Sequence, residues 1–399
     1  MNKKLMAIAV AGALAAPAAA LAQSSTVQVY GTVLINYNLV DYGQGRVNND
    51  MFNSHDANLG FKGEEQLGGG LSAWFQCEST LDVTGVTLGG WCGRNSAFGM
   101  KGNFGNVYAG VWDMPMKTAM ANFRPFSTAG AYGMASVLWN TSGSDVGNGP
   151  AGVPGANVTS FTRRQTNLIS YATPNWGGFQ GSVAYSTPNE ATALVNASTA
   201  KKARLWGVGG TYTNGPFIIG AGYERHTNFN PGITATYTGG DDNAWNVGIA
   251  YTFAGVFKLS AIYTDSKYNN ITPGTSLEDR AWGIFGDWAI AGPHRLRAEW
   301  NRRQSTSGNF GAPGAVAAGT PPAFPTLVGQ WSANGGAGNT GSNLYGLQYA
   351  YAFSKRTELN FGYARLNNDA LSQETLQTLG KGTAGQNQSA WVFGAKHTF

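Results

Sequence analysis

The sequence predicts an all-β protein, a sixteen-stranded antiparallel transmembrane β-barrel with one long connection folded into its interior. Three observations predict it. Apolar and polar residues alternate with a period of two through most of the chain. Tight and long connections follow one another without a break. Charged residues make up only 12% of the 399 residues, against 57 glycines and 12% aromatics. Charge at about half the usual share, with abundant glycine and aromatics, suits a sheet whose outer face meets lipid. The mean hydropathy of −0.20 resembles that of a water-soluble protein, because in such a sheet each lipid-facing residue alternates with a polar one.

The chain opens Met1-Asn2-Lys3-Lys4, followed by an apolar run from Leu5 to Ala22 that ends Ala20-Leu21-Ala22. A positive start, an apolar stretch and a small-residue ending predict a secretory signal peptide over residues 1–22, cut after Ala22. Pro17 and that ending argue against a transmembrane helix, and no later run of eighteen apolar residues occurs. A single barrel domain is therefore expected over 23–399. Export to an oxidising compartment makes a disulfide the default for Cys77 and Cys92. Strand parity sends Cys77 outward and Cys92 inward, so pairing requires Cys92 to sit in the loop between their strands.

Individual strands show the alternation. In Asn243–Phe253 the apolar set is Trp245, Val247, Ile249, Tyr251 and Phe253; in Val256–Ser266 it is Phe257, Leu259, Ala261 and Tyr263. Leu344–Phe353 presents Tyr345, Leu347, Tyr349, Tyr351 and Phe353. The last strand presents Trp391, Phe393, Ala395, His397 and Phe399. A soluble sandwich alternates too, so the connections decide. Seven are tight: Leu67–Gly70, Asn103–Asn106, Pro174–Gly178, Asn214–Pro216, Ala254-Gly255, Ala291–Pro293 and Ser354-Lys355. Eight are long, near 41–53, 82–93, 113–161, 187–202, 227–242, 267–279, 304–341 and 368–387. Fifteen connections require sixteen strands of about 9–12 residues, long enough to cross hydrocarbon at a steep tilt. Lipid leaves no partner for a bare backbone N–H or C=O, so the sheet must close on itself. Trp74, Trp112, Trp206, Trp282, Trp288 and Trp300, near strand ends, are expected in interfacial girdles. At this strand number the interior is too wide for side chains to fill and stays aqueous.

The longest connection runs from Asp113 to Phe161. Its first half, Trp112 to Phe126, carries enough apolar residues to pack and is expected to fold inward, whereas Ser142–Asn157 is rich in Gly, Pro and Asn. The connection at 304–341, rich in Gly, Ala and Pro, reads as a surface feature.

Several stretches resemble the Gram-negative general porins, most closely the porin family of betaproteobacteria. They are Ser25-Thr26-Val27-Gln28-Val29-Tyr30-Gly31-Thr32-Val33, Leu59-Gly60-Phe61-Lys62-Gly63-Glu64-Glu65-Gln66-Leu67-Gly68-Gly69-Gly70-Leu71, Gly102-Asn103-Phe104-Gly105-Asn106-Val107, Asn167-Leu168-Ile169-Ser170-Tyr171-Ala172-Thr173-Pro174, and the terminal His397-Thr398-Phe399. The resemblance covers the whole mature chain. It implies an outer-membrane channel for passive diffusion of small hydrophilic solutes and ions. It also implies a homotrimer of barrels whose third extracellular loop enters the pore, surrounded by outer-membrane lipid and lipopolysaccharide. In such porins inward basic residues on the wall face acidic groups on the loop. Arg94 and Arg164 match the basic positions, and Lys62 points inward by the parity of its strand. Asn58 and Val111 stand where the family often has Arg, and the loop offers Asp113 beside Lys117 and Arg124. The constriction is therefore expected to comprise Lys62, Arg94, Arg164, Asp113, Lys117 and Arg124, net positive and mildly favouring anions. Arg295, Arg297 and Glu299 are further inward candidates.

Other functions find less support. A barrel enzyme needs a histidine beside a nucleophile or acid. His55, His226, His294 and His397 form no such set, so no catalytic residue, metal or cofactor is expected. The 26 basic and 21 acidic residues are too scattered for nucleic acid. A porin specific for an anion or a sugar and a non-conducting adhesin remain as alternatives. Aromatics along the lumen would favour sugars, but the inward sets are mostly small and polar.

Overall fold

The computed structural model describes residues 27–43, 48–85, 90–127, 130–134, 137–138, 161–187, 204–229, 240–269, 276–308, 339–372, 374–376 and 385–399. The candidate signal peptide, the Ser142–Asn157 stretch and most of 187–202 and 304–341 lie outside them.

The first strands are β1 (Gln28–Asp41), β2 (Asn49–Asn53), β3 (Asn58–Gly68), β4 (Leu71–Thr80), β5 (Ser96–Gly102) and β6 (Gly105–Asp113). A short helix α1 (Pro115–Ala119) and a 3-10 turn, Ala121–Phe123, follow. The sheet resumes with β7 (Arg164–Ala172), β8 (Phe179–Ser186), β9 (Arg204–Asn214), β10 (Phe217–Phe229), β11 (Gly240–Phe253) and β12 (Phe257–Asn269). It ends with β13 (Ser276–Ala291), β14 (His294–Arg303), β15 (Ser307–Gly308), β16 (Ser342–Ala352), β17 (Thr357–Asn368) and β18 (Gln388–Thr398).

Every strand pairs antiparallel with its neighbours, and β1 pairs with β18 from Thr32↔Thr398 to Asp41↔Ser389. Gly31 and Phe399 exchange backbone hydrogen bonds at the seam, so the terminal residue locks the closure. Two of the strands are not separate staves. β2 continues the place of β3 along β1, and β15 continues that of β14 along β13. Sixteen staves close the barrel.

All seven tight connections fall where the sequence puts them, six carrying a glycine at positive φ: Gly70, Gly105, Gly178, Gly215, Gly255 and Gly292 among them. The long connections differ in detail. Residues 41–53 contain β2, and 227–242 and 267–279 are shortened because β10 to β13 run on past the expected ends, β13 reaching 16 residues. The extra length continues the same ladder, for example Asn269↔Ser276, where each added pair in register contributes backbone hydrogen bonds that offset the ordering of its residues.

The outer face is apolar. Ile249 is 49% exposed, Leu347 52% and Phe393 46%, while Ala250, Gln348 and Val392, one residue along or back, are buried. Two aromatic belts flank this zone. Trp206–Tyr223, Trp245–Tyr263 and Trp282–Trp300–Tyr345 contact one another towards the long-loop rim. Tyr251, Phe253 and Phe257, with Tyr351 and Phe353, flank the tight turns. Trp74 and Trp112 do not belong to either belt. Trp74 shares the parity of Ser72 and Glu78, and Trp112 that of Tyr108, so both indoles turn to the inner side and pack there with Tyr108. Closeness to a strand end sets depth but not side; parity sets side.

Candidate functional site

The segment after β6 does not hang away from the sheet. It packs on the inner face of β9–β12, opposite the apolar outer face. Met114, Met116, Met120 and Phe123 are fully buried there. The wall makes room by lacking side chains. A Cβ on Gly222 would come within 2.6 Å of the Met116 Cα, and one on Gly248 within 2.7 Å of the Phe123 ring. Gly209 lies still closer, under the Pro115 carbonyl. Side chains that the wall retains hold the segment's backbone. Asn246 donates to the Met116 carbonyl at 3.2 Å, Ser260 to that of Phe123 and Lys258 to that of Asn122. The segment thus offers apolar side chains to the wall and has its carbonyls satisfied by the wall's amides, hydroxyls and ammonium.

Beyond Phe123 the chain crosses to other staves. Phe126 stacks on Tyr132 at 5.0 Å, and Tyr132 lies against Gly346 and Gly362 of β16 and β17. Ser127 donates to Asp56, in the connection between β2 and β3. Burial alone would raise the Asp56 carboxyl. The Ser127 hydrogen bond and the charges of Arg94, Arg124 and Lys117 outweigh it and hold the carboxyl below its ordinary 3.8. A polar cavity of about 310 Å³ borders this crossing, lined in part by Asp56, Tyr132, Arg297, Glu358 and Lys396.

Five of the six residues expected at the constriction fall into two groups. Asp113, Lys117 and Arg164 come together: the Asp113 Oδ1 is 3.1 Å from the Lys117 Nζ and 3.4 Å from the Arg164 Nε. Asn95 ties the group, donating to Asp113 at 3.1 Å and accepting from Arg164 at 2.7 Å. Arg94 pairs instead with Glu78 at 2.7 Å, and Glu78 accepts from the Tyr30 hydroxyl at 3.0 Å. Lys62 completes this second group, its ammonium 4.9 Å above the Tyr30 ring. Arg124 donates to the Phe126 carbonyl at 3.1 Å and so holds the crossing in shape, and its charge acts on Asp56. Arg295 pairs with Asp287 and Arg297 with Glu358, both on the inner face, while Glu299 is buried beside Asn301.

Cys77 and Cys92 are bonded, with Cα atoms 4.7 Å apart. Cys77 keeps its outward parity, and Cys92 sits in the loop with φ of 53°, which turns it back towards β4.

Sequence reasoning missed three participants. Asp56 and Asn95 lie in connections, where no periodicity marks a side chain's direction. Glu78 had a usable signal, since it shares the parity of Ser72 on β4.

A closed antiparallel ring with an apolar belt outside and ionic groups inside defines a membrane-spanning β-barrel channel. A family described as Gram-negative porin matches residues 7–371. The chain belongs to that family: it is an outer-membrane porin, a water-filled channel for passive diffusion. It is 27% identical to outer membrane porin protein 32 of Delftia acidovorans over 411 residues, covering 100% of both chains. It is 32% identical to major outer membrane protein P.IB of Neisseria gonorrhoeae over 195 residues, 47% of this chain and 48% of that one. Among solved structures, an anion-selective porin from Comamonas acidovorans has the same fold, with a TM-score of 0.69 at 22% identity, covering 94% of this chain and 100% of that one. In-vitro folded OmpT of Vibrio cholerae superposes with a TM-score of 0.63 at 14% identity, covering 95% and 98%.

Proposed function

We propose that the segment from Asp113 to Phe126 narrows the lumen, and that the potential at this neck is net positive, so the channel passes anions somewhat more readily than cations. The charge balance carries it. Among the described residues, Lys62, Arg94, Lys117, Arg124 and Arg164 gather around Glu78, Asp113 and Asp56, five cations to three carboxylates. A single sign of net charge in a low-dielectric neck enriches the opposite ion. The selectivity described for the Comamonas porin, which shares the fold, agrees with this.

The same proposal includes cleavage after Ala22, assembly as a homotrimer, and outer-membrane lipid with lipopolysaccharide around the barrel. OmpT of Vibrio cholerae has been described in a trimer form. The reactions of an enzyme have no part in it; solutes pass unchanged.

Single channels in a planar bilayer under a KCl gradient test the central claim. The reversal potential should carry the sign of chloride preference, and Arg94→Gln with Arg164→Gln should move it towards zero. A clear potassium preference in the unaltered channel would overturn it.

A further inference from the structure

The inward pair Trp74 and Trp112 packs against the cluster that holds Met114, yet both indoles keep part of their surface on the lumen side. With Tyr108 the indoles form one patch: Trp74 and Tyr108 ring centres are 5.7 Å apart, Trp74 and Trp112 5.8 Å, and Tyr108 and Trp112 5.1 Å. The two contacts to Trp112 are edge-on. Tyr108 is buried between the indoles, and both indoles stay partly exposed on the inner side. Register explains how they meet. Glu64, Trp74, Gly99 and Tyr108 lie side by side across β3, β4, β5 and β6. The missing side chain of Gly99 lets the Trp74 indole lie over the β5 backbone; a Cβ there would sit 2.6 Å from the Trp74 Nε1 and 2.7 Å from the Tyr108 Cβ. The indole is fixed in this pose, donating from Nε1 to Asn106 at 2.8 Å.

Polar groups ring the patch on the tight-turn side. Lys101 and Glu64 form an exposed pair at 2.6 Å, Gln66 donates to Glu64 at 3.0 Å, and Ser72 donates to Gln66 at 3.0 Å. On the other side Trp112 adjoins Asp113, so the patch leads from the constriction group towards the tight-turn rim. Indole faces next to water, bordered by groups that both donate and accept, match one solute chemistry well. A pyranose ring stacks its C–H face on an indole and turns its hydroxyls to such a border.

We propose that Trp74 and Trp112, braced by Tyr108 over Gly99, form a stacking platform for pyranose sugars on the pore wall. Sugars then pause on the wall during passage, and flux through the channel saturates for them, which plain diffusion of small solutes does not require. The proposal rests on the chain being an open pore, and sugar-free KCl conductance reports on that separately.

The test is maltose titrated into single channels in KCl, with the acyclic polyol sorbitol as control. Maltose should lower the conductance along a saturating curve, while sorbitol lowers it only in proportion to viscosity. Trp74→Ala and Trp112→Ala should each raise the half-saturating maltose concentration by roughly tenfold, the scale of losing one stacking contact. Trp74→Phe, which keeps a ring and is the safer variant for folding, should fall between Trp74→Ala and the unaltered channel. Equal effects of maltose and sorbitol would overturn the proposal. So would unchanged half-saturation in Trp74→Phe and Trp112→Ala channels that run as folded, heat-modifiable barrels on gels.

Discussion

The inner walls of β9–β12 and of β3–β6 follow the same rule outside and opposite rules inside. On both, every second residue meets lipid. On β9–β11, however, Gly209, Gly222 and Gly248 leave bare backbone, and the segment from Met114 to Phe123 lies directly on it. On β3–β6 the inward residues include the large or charged Lys62, Glu64, Trp74, Glu78 and Tyr108, and the 114–123 segment touches this wall through Met114, in the cluster against which both indoles pack. One wall gives up side chains where the segment docks; the other keeps large ones, which the proposed sugar platform uses. The segment therefore docks on one side of the barrel, and Asp113, Lys117 and Arg164 pair where wall and segment meet.

Asp113 is where the comparison breaks most sharply. Asp113→Asn leaves Lys117 and Arg164, both nearly buried, facing each other without their shared carboxylate. Removing one member of such a group costs about 3 kcal/mol. The unfolding temperature read from heat-modifiable gel mobility should fall, and chloride preference should rise. Next comes the docking wall. Gly222→Leu places a side chain where the Met116 backbone lies, an overpacking penalty of about 1–3 kcal/mol. The segment should lift, with larger single-channel conductance and faster tryptic cleavage after Lys117. The same exchange at Gly215, in a tight turn with open space around it, tests turn strain alone and should leave conductance unchanged.

The smallest effect concerns pH. Asp56 has its carboxyl held below 3.8 in the folded barrel. A depressed carboxylate contributes stability that is complete above the ordinary value and is lost as pH falls through the lowered one. The Asp56–Ser127 link should therefore persist down to pH 3.8 and weaken below it. Protonation also removes a negative charge near Arg94, Arg124 and Lys117. Reversal potentials measured below pH 3.8 should shift further towards chloride, and Asp56→Asn should show that shift already at neutral pH.

Much of this was legible in the chain. Strand number, the seven tight turns and the lipid-facing sets followed from period two and turn chemistry, because both are local. For the six residues expected at the constriction, the pairing was not legible. Asp113 with Lys117 is four residues apart, yet Arg164 reaches the same carboxylate from a strand some fifty positions on. The side on which Trp74 and Trp112 stand was written in the parity of Ser72, Glu78 and Tyr108, and nearness to the strand ends suggested the lipid side instead. Asp56 and Asn95 carried no signal, since a residue in a connection has no face until the connection is placed.

By itself the sequence determined that the chain closes into a two-faced ring, since alternating residues in lipid permit no bare edge. Only the tertiary structure decided what the interior does. Which glycines lie under the loop, which carboxylate serves which cation, and which aromatics meet one another across strands all depend on residues far apart in the chain. Their distances are set by register and barrel closure, and no local pattern of residue types encodes them.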